Sequence, residues 1–278
     1  MVRLLGVSDV AWRQAAGGYT PAERWVVQLR DGRSVFLKTA VDEQTAGWLR
    51  IEHRLYKALR AAFMPTLLGW EDGERPILAL EDLTGASWPP PWDAGRVDAV
   101  LSALAAVAAS PPPAWLPGVA DSPMDLRGWQ VVANDPGPFL SLGLADASWL
   151  GSALPELVDA SQEFRAEGSQ LLHLDVRSDN LCIRDGRAIL VDWNLAAVGN
   201  ARLDIAFWLP SLAAEGGPQP DVVLPDAGPE AAIVSGFFAA RAGRPEIPTA
   251  PRVRRVQLDQ LRQALLWACH ALGLPAPD

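Results

Sequence analysis

The chain has 278 residues, 49% of them hydrophobic, and a formal net charge of −9. Such a chain is no disordered tail; it is long enough for one large domain or two units with real cores. No apolar run reaches the length of a membrane span, and the longest, 99–109, fits a buried helix. The opening stretch "MVRLLGVSDVAWRQ" has no long apolar segment and no small-residue cleavage site, so a cytoplasmic protein is expected. Residues 1–83 balance 11 basic against 11 acidic side chains, whereas residues 84–278 carry 13 against 22. An acidic C-terminal part argues against nucleic-acid partners and would attract cations, although acidic surface also serves solubility alone. Two cysteines, Cys182 and Cys269, form neither a disulfide framework nor a metal cluster. Of 24 basic residues only Lys38 and Lys57 are lysine. A Lys inside the apolar run "SVFLKTA" is therefore a candidate for a compact point charge in a tight site, a task Arg does poorly.

In chain order, "AAGGY" sets Gly17 and Gly18 ahead of the first strand pair. "ERWVVQLRDGRSVFLKTA" reads as two strands around an Asp31-Gly32 turn. A helix follows over about 42–62, with Leu49, Leu55, Tyr56 and Leu59 near a 3.6-residue period. "MPTLLGWEDGERPILALEDL" reads as two more strands around Asp72-Gly73, and "EDLTGASWPPPW" as a break. Beyond it the pattern predicts helices at about 93–109, 146–166 with Pro155 interrupting, 202–214, 228–242 and 253–272. Proline-rich loops lie between them at 110–124 and 215–227. The expected class is α+β with two lobes. A small β-rich N-terminal lobe with one long helix takes 1–83, and a larger, mainly helical lobe takes 84–278.

"HLDVRSDNLCIRDGRAILVDW" (173–193) sits in the middle of that second part. It reads as loop, strand, Asp185-Gly186 turn, strand and loop. A hairpin returns to its starting end, so Asp192 arrives where Asp175 and Asn180 began. Carboxylates beside a core are costly unless something positive meets them. Asn180 and Asp192 offer the hard oxygens that Mg²⁺ prefers, and Mg²⁺ leaves its other positions to water and phosphate. Asp175, five residues earlier, suits orienting a substrate hydroxyl and accepting its proton. Any one of these residues alone could simply make a turn. All three at this spacing, with a strand lysine and a glycine pair upstream, are the parts of phosphoryl transfer.

These residues resemble the protein-kinase-like fold. "HLDVRSDN" aligns with H-R-D-L-K-x-x-N and "VDW" stands at D-F-G. An H-x-D opening and "VDWNLAAVGNARLDIAFW" after it resemble the aminoglycoside phosphotransferase and choline kinase branch. The likeness covers most of the chain and is densest over 173–207. It implies that Asp175 is the catalytic Asp and that Asn180 and Asp192 bind Mg²⁺. Lys38 would contact the α- and β-phosphates of ATP or GTP, held by Glu52, with Glu43 as the rival for that pairing. Arg177 would take the place of the catalytic-loop Lys, His173 would orient the loop, and Asp204 would brace it. "LALEDL" would be the hinge, with backbone groups over Glu81 to Leu83 meeting the nucleobase. Two departures stand out: the region of Gly17 and Gly18 lacks G-x-G-x-x-G, and Trp193 follows Asp192 where the family has Phe.

Only twelve residues separate Asp192 from Asp204 and no A-P-E follows, which leaves no room for a protein kinase's activation segment. The acceptor is therefore expected to be a small molecule, cationic or polyhydroxylated. An aminoglycoside-type antibiotic, a choline-like amino alcohol and an amino sugar all fit, in a resistance or a metabolic role. Trp193, Trp208 and Asp179 are the acceptor candidates. The 12 tryptophans could form a cation–π cage, but their scatter suits packing better. The chain is expected to act as a monomer or weak dimer, away from membranes. A catalytically dead kinase fold and a structural protein with an acidic turn are the competing classes; nucleotide turnover and Mg²⁺-dependent nucleotide binding separate them.

Overall fold

A computed structural model describes residues 2–15, 21–122 and 124–277. Gly17 and Gly18 lie outside the described residues. The chain divides into two compact units. The first takes Met1–Pro89, Gly95–Ala106 and Asp179–Asn194; the second takes Pro90–Ala94, Val107–Ser178 and Leu195–Asp278. The 179–194 hairpin thus groups with the N-terminal residues, whereas the boundary read after Leu83 places it with the C-terminal ones.

In the first unit, helix α1 (Val2–Leu5) precedes a five-stranded antiparallel sheet. Its strands are β1 (Asp9–Gln14), β2 (Glu23–Leu29), β3 (Ser34–Thr39), β4 (Leu67–Glu71) and β5 (Ile77–Glu81), in the order β1-β2-β3-β5-β4. Val27, Leu29, Val35, Leu37 and Ala79 form a buried cluster on it. Side chains alternate along a strand, so Phe36 and Lys38 project from the opposite face of β3. That strand is flanked on both sides: Lys38 is paired with Arg24 on β2 and with Leu78 on β5.

Helix α2 (Glu43–Leu59) starts at a capping box, in which Asp42 Oδ1 accepts from the Thr45 N–H at 2.8 Å and Thr45 Oγ1 accepts from the Asp42 N–H at 3.1 Å. It ends at Arg60, whose φ of 45° is left-handed. Its buried stripe is Thr45, Ala46, Leu49, Glu52, Leu55 and Tyr56, the spacing of one helical face. Glu52 therefore points inward because of the helix phase, while Glu43 sits in the first turn.

Helix α3 (Ala94–Ala109) contributes its central part to the same unit. Two three-residue strands of the second unit, β6 (Gln170–Leu172) and β9 (Ala197–Gly199), bracket the hairpin in sequence. Between them, β7 (Leu181–Arg184) and β8 (Arg187–Leu190) pair across Asp185 and Gly186, at φ 51° and 71°. Positive φ at both turn positions is the hairpin geometry that Asp-Gly favours. Leu83, Cys182 and Ile189 pack together beneath it, and burial pushes the Cys182 thiol up to about 12.

The second unit is helical: α4 (Gly128–Asn134), α5 (Gly137–Leu140), α6 (Ala147–Glu163), α7 (Arg202–Ala214), α8 (Pro220–Val223), α9 (Gly228–Ala242) and α10 (Val253–Leu272). Helix α9 packs against α4, α6, α7 and α10. It and α7 are buried on nearly every side, which is why neither shows a polar stripe in the sequence. Pro155 does not interrupt α6, contrary to the sequence expectation. It lies on the exposed side, so the carbonyl of Gly151 that loses its partner faces water. Cys269 on α10 is buried, and its thiol is pushed up to about 11. Among the described residues no helix is long and apolar enough to cross a membrane.

The α4–α9 crossing is close. A Cβ on Gly128 would sit 1.9 Å from the Gly236 carbonyl oxygen, and one on Gly236 would sit 2.6 Å from Trp129 Cδ1. Trp129 is fully buried and its indole N–H donates to Ser235 Oγ at 3.1 Å. The obstacle at Gly128 is backbone and cannot swing aside. Gly128→Ala is therefore expected to destabilise the protein by roughly 3 kcal/mol, the upper end of overpacking costs. Thermal unfolding of the variant checks this; an unchanged midpoint would mean that the helices separate freely.

Candidate active site

The first unit concentrates charge around Lys38. Its Nζ donates to Glu52 Oε1 and Oε2 at 2.7 and 2.9 Å and to Asp192 Oδ1 at 2.7 Å. The Lys38 and Glu52 side chains are 7% and 2% exposed, and that of Asp192 is 21% exposed. Burial alone would lower the Lys38 pKa, but the carboxylates of Asp192 and Glu52 outweigh it and hold the ammonium above its ordinary value. One cation faces two carboxylates, so negative charge is in excess. The deeper carboxylate shows it: burial raises Glu52 to about 7, against the pull of Lys38. This settles the pairing of Lys38 in favour of Glu52 over Glu43.

Asn180 and Asp192 lie at one end of the hairpin, as its register requires. Leu181 pairs with Leu190, and the Val191 N–H donates to the Asn180 carbonyl at 2.8 Å. Asn180 is buried, and Asp192 has a φ of 68°. Left-handed backbone at a non-glycine residue costs energy, and surrounding contacts must hold it. Among the described residues no three His, Cys, Asp or Glu side chains gather as a metal cage.

The second unit holds the loop that precedes Asn180. The Asp204 carboxylate accepts from the backbone N–H of His173 at 2.8 Å and of Leu174 at 2.7 Å. Leu174 has a φ of 63°, a conformation that these two bonds secure. Asp204 is buried; burial pushes its carboxyl above the usual value, opposed by His173 and the two N–H bonds. The His173 ring is fully buried and its Nδ1 accepts from the Asp175 N–H at 3.2 Å. Arg177 Nε lies 3.2 Å from Asp175 Oδ1, and the Asp175 side chain is 29% exposed. The loop thus offers a reachable carboxylate beside a guanidinium.

Several predicted residues are placed elsewhere. Trp193 is fully buried in the first unit, donates its indole N–H to the Leu190 carbonyl at 2.9 Å and packs on Phe63. Trp208 is fully buried in the second unit, edge-on to Trp92 at 5.6 Å. Asp179 is half-buried in the 3₁₀ turn that ends at Asn180. The Glu81 carboxylate bonds to Arg184 and accepts from the Thr66 N–H and hydroxyl, both at 3.1 Å. Burial alone would raise the Glu81 pKa, yet these bonds outweigh it and lower it. Leu83 is buried, with its carbonyl accepting from the Ala86 N–H at 3.0 Å. Sequence reading missed Glu215, whose oxygens accept from the Ser178 hydroxyl and, at 2.8 Å, from the Trp92 indole N–H. It lies just beyond a helix end, where no periodicity marks it.

Residues 11–237 match the phosphotransferase enzyme family, and the chain belongs to that family. No curated protein matches it. Its fold is that of the aminoglycoside phosphotransferase and choline kinase branch of protein-kinase-like proteins. A choline/ethanolamine kinase family protein from Mesorhizobium loti superposes with a TM-score of 0.56 at 11% identity, covering 94% of this chain and 91% of that one. A macrolide 2'-phosphotransferase from Brachybacterium faecium gives 0.51 at 17% identity, with 96% and 87% covered. The ternary complex of streptomycin, ATP and APH(2'')-IIa gives 0.55 at 10% identity, with 96% and 95% covered.

Proposed function

We propose that this phosphotransferase is a small-molecule kinase. It moves the γ-phosphate of ATP or GTP to a hydroxyl of a small cationic or polyhydroxylated acceptor of the aminoglycoside type. The observation that carries this reading is the Lys38–Glu52–Asp192 arrangement, in which a buried ammonium is fixed by two carboxylates 2.7 Å away. Lys38 is thereby held ready for the α- and β-phosphates. The excess negative charge around it suits a divalent cation, and Asn180 with Asp192 is an oxygen pair of the kind Mg²⁺ accepts beside phosphate. Mg²⁺ would supply charge neutralisation of the triphosphate. Asp175 takes the proton of the acceptor hydroxyl, and Arg177 offsets charge on the γ-phosphate. His173 and Asp204 support that loop.

In this reading residues 1–83, with Gly17, Gly18 and the Glu81–Leu83 backbone, handle the nucleotide. Residues 84–278 carry the catalytic loop and the acceptor site, for which half-buried Asp179 is the candidate, Trp193 and Trp208 being enclosed in packing. The enzyme works in the cytoplasm as a monomer or weak dimer, and its acceptor decides between a role in antibiotic resistance and one in metabolism. A panel of aminoglycosides, nucleoside antibiotics and small amino alcohols, assayed for ADP or GDP release, tests it. One class should give release that stops when Mg²⁺ is chelated. Silence across the whole panel would overturn the reading.

A further inference from the structure

Helix α7 touches the loop that carries Asp175 at two places. In its first turn, Asp204 takes the N–H groups of His173 and Leu174. At its C-cap, Glu215 takes the hydroxyl of Ser178. Eleven residues separate Asp204 from Glu215, a rise of about 16 Å along a helix. The 173–178 segment reaches at most about 17 Å when extended, a length comparable to the spacing of the two anchors. Asp175 and Arg177 lie between the anchors. Glu215 is itself fixed, because its other oxygen accepts from the Trp92 indole N–H at 2.8 Å, and the Trp92 ring abuts fully buried Trp208. Among the described residues no Lys, Arg or His pairs with Glu215, so its hydrogen bonds go to neutral donors. Such a carboxylate contributes placement.

We propose that Glu215 is a positioning residue that, with Asp204, holds the 173–178 loop at both ends and so sets where the Asp175 carboxylate stands. The catalytic consequence rests on the reading of Asp175 as the proton acceptor; the clamp itself does not. Leu174 sits in a left-handed conformation that the loop would leave if released. The Asp204 anchor acts on the near side of Asp175, and Ser178 is where α7 holds the far side. Misplacement of a reacting group by about 1 Å can cost on the order of 10²-fold in rate.

The test uses Glu215→Ala and Ser178→Ala, singly and together, in the full chain. Hydrogen exchange at residues 175–178 should quicken by on the order of 10-fold in each variant, the loss of one charge-assisted bond. The combined variant should add little, because both changes break the same link. Turnover of an acceptor found by the panel should fall by about 10-fold to 10²-fold with the nucleotide KM held. Unchanged exchange at 175–178 in folded Ser178→Ala overturns the proposal, and so does a lowered unfolding temperature with kcat intact. Should Glu215→Ala fail to fold, Ser178→Ala alone decides, since it removes one hydroxyl. If exchange responds and the wild-type protein phosphorylates nothing, the clamp stands and the kinase reading falls.

Discussion

Asp175→Asn is expected to lower turnover by about 10²- to 10⁴-fold, the usual worth of a positioned proton acceptor, while nucleotide affinity stays as it was. The amide matches the carboxylate in shape and fills the same place beside Arg177, whose Nε lies 3.2 Å from Asp175 Oδ1 in the native protein. It cannot take a proton. The backbone of the loop should not move, because its anchors are the N–H groups of His173 and Leu174 on Asp204. Nucleotide affinity should persist because Lys38, Glu52 and Asp192 are untouched. Release of nucleoside diphosphate measures the first quantity and titration calorimetry with a non-hydrolysable triphosphate the second. Turnover within about 3-fold of the native rate would remove Asp175 from the chemistry.

Lys38→Met is expected to destabilise the protein by about 3–5 kcal/mol, the range for breaking a buried ion pair from one side. Methionine is close to lysine in bulk and suits this buried position on β3, so packing is largely kept. What is lost is, among the described residues, the one cation bonded to Glu52, a side chain 2% exposed that burial has already raised to about 7. Asp192 loses its ammonium partner as well. A second change, Glu52→Gln, removes the stranded charge and should recover part of the loss, a coupling that a double-mutant cycle measures. Urea unfolding supplies the numbers. A Lys38→Met protein as stable as the native one would show that the cluster is solvated and that its charges are not confined by the fold. Phosphate handling should weaken in the same variant, because no other lysine lies in a strand of the sheet.

The elements that sequence could place are those with one dominant periodicity or a turn of fixed chemistry. Helix α2 shows its apolar stripe directly in Leu49, Leu55 and Tyr56, whereas the place of Glu52 on that stripe is a finding of the structure. The Asp31-Gly32 and Asp185-Gly186 turns marked two hairpins whose registers then followed. Strand β1 was not legible, because every residue of "DVAWRQ" is exposed and carries no alternation. Strands β6 and β9 are three residues each and pair across 24 intervening positions, which no local pattern encodes. Within the site, Lys38 and Asp192 stood out by residue type and spacing, and their side chains meet at 2.7 Å. Trp193 shows the opposite case. Its place after Asp192 suggested contact with an acceptor, yet its indole is spent on the Leu190 carbonyl and on Phe63. Glu215 needed three dimensions, since the Ser178 hydroxyl that it holds lies 37 positions away.

The two native thiols bear on how motion in this enzyme can be watched. Cys182 and Cys269 are buried, and their proton affinities are pushed to about 12 and about 11. Near neutral pH almost none of either is thiolate, the form that attacks alkylating dyes. A cysteine introduced at an open position such as Val222, 73% exposed on α8, should thus be the one group a maleimide fluorophore finds. Site-specific dye attachment then needs no prior removal of the wild-type pair.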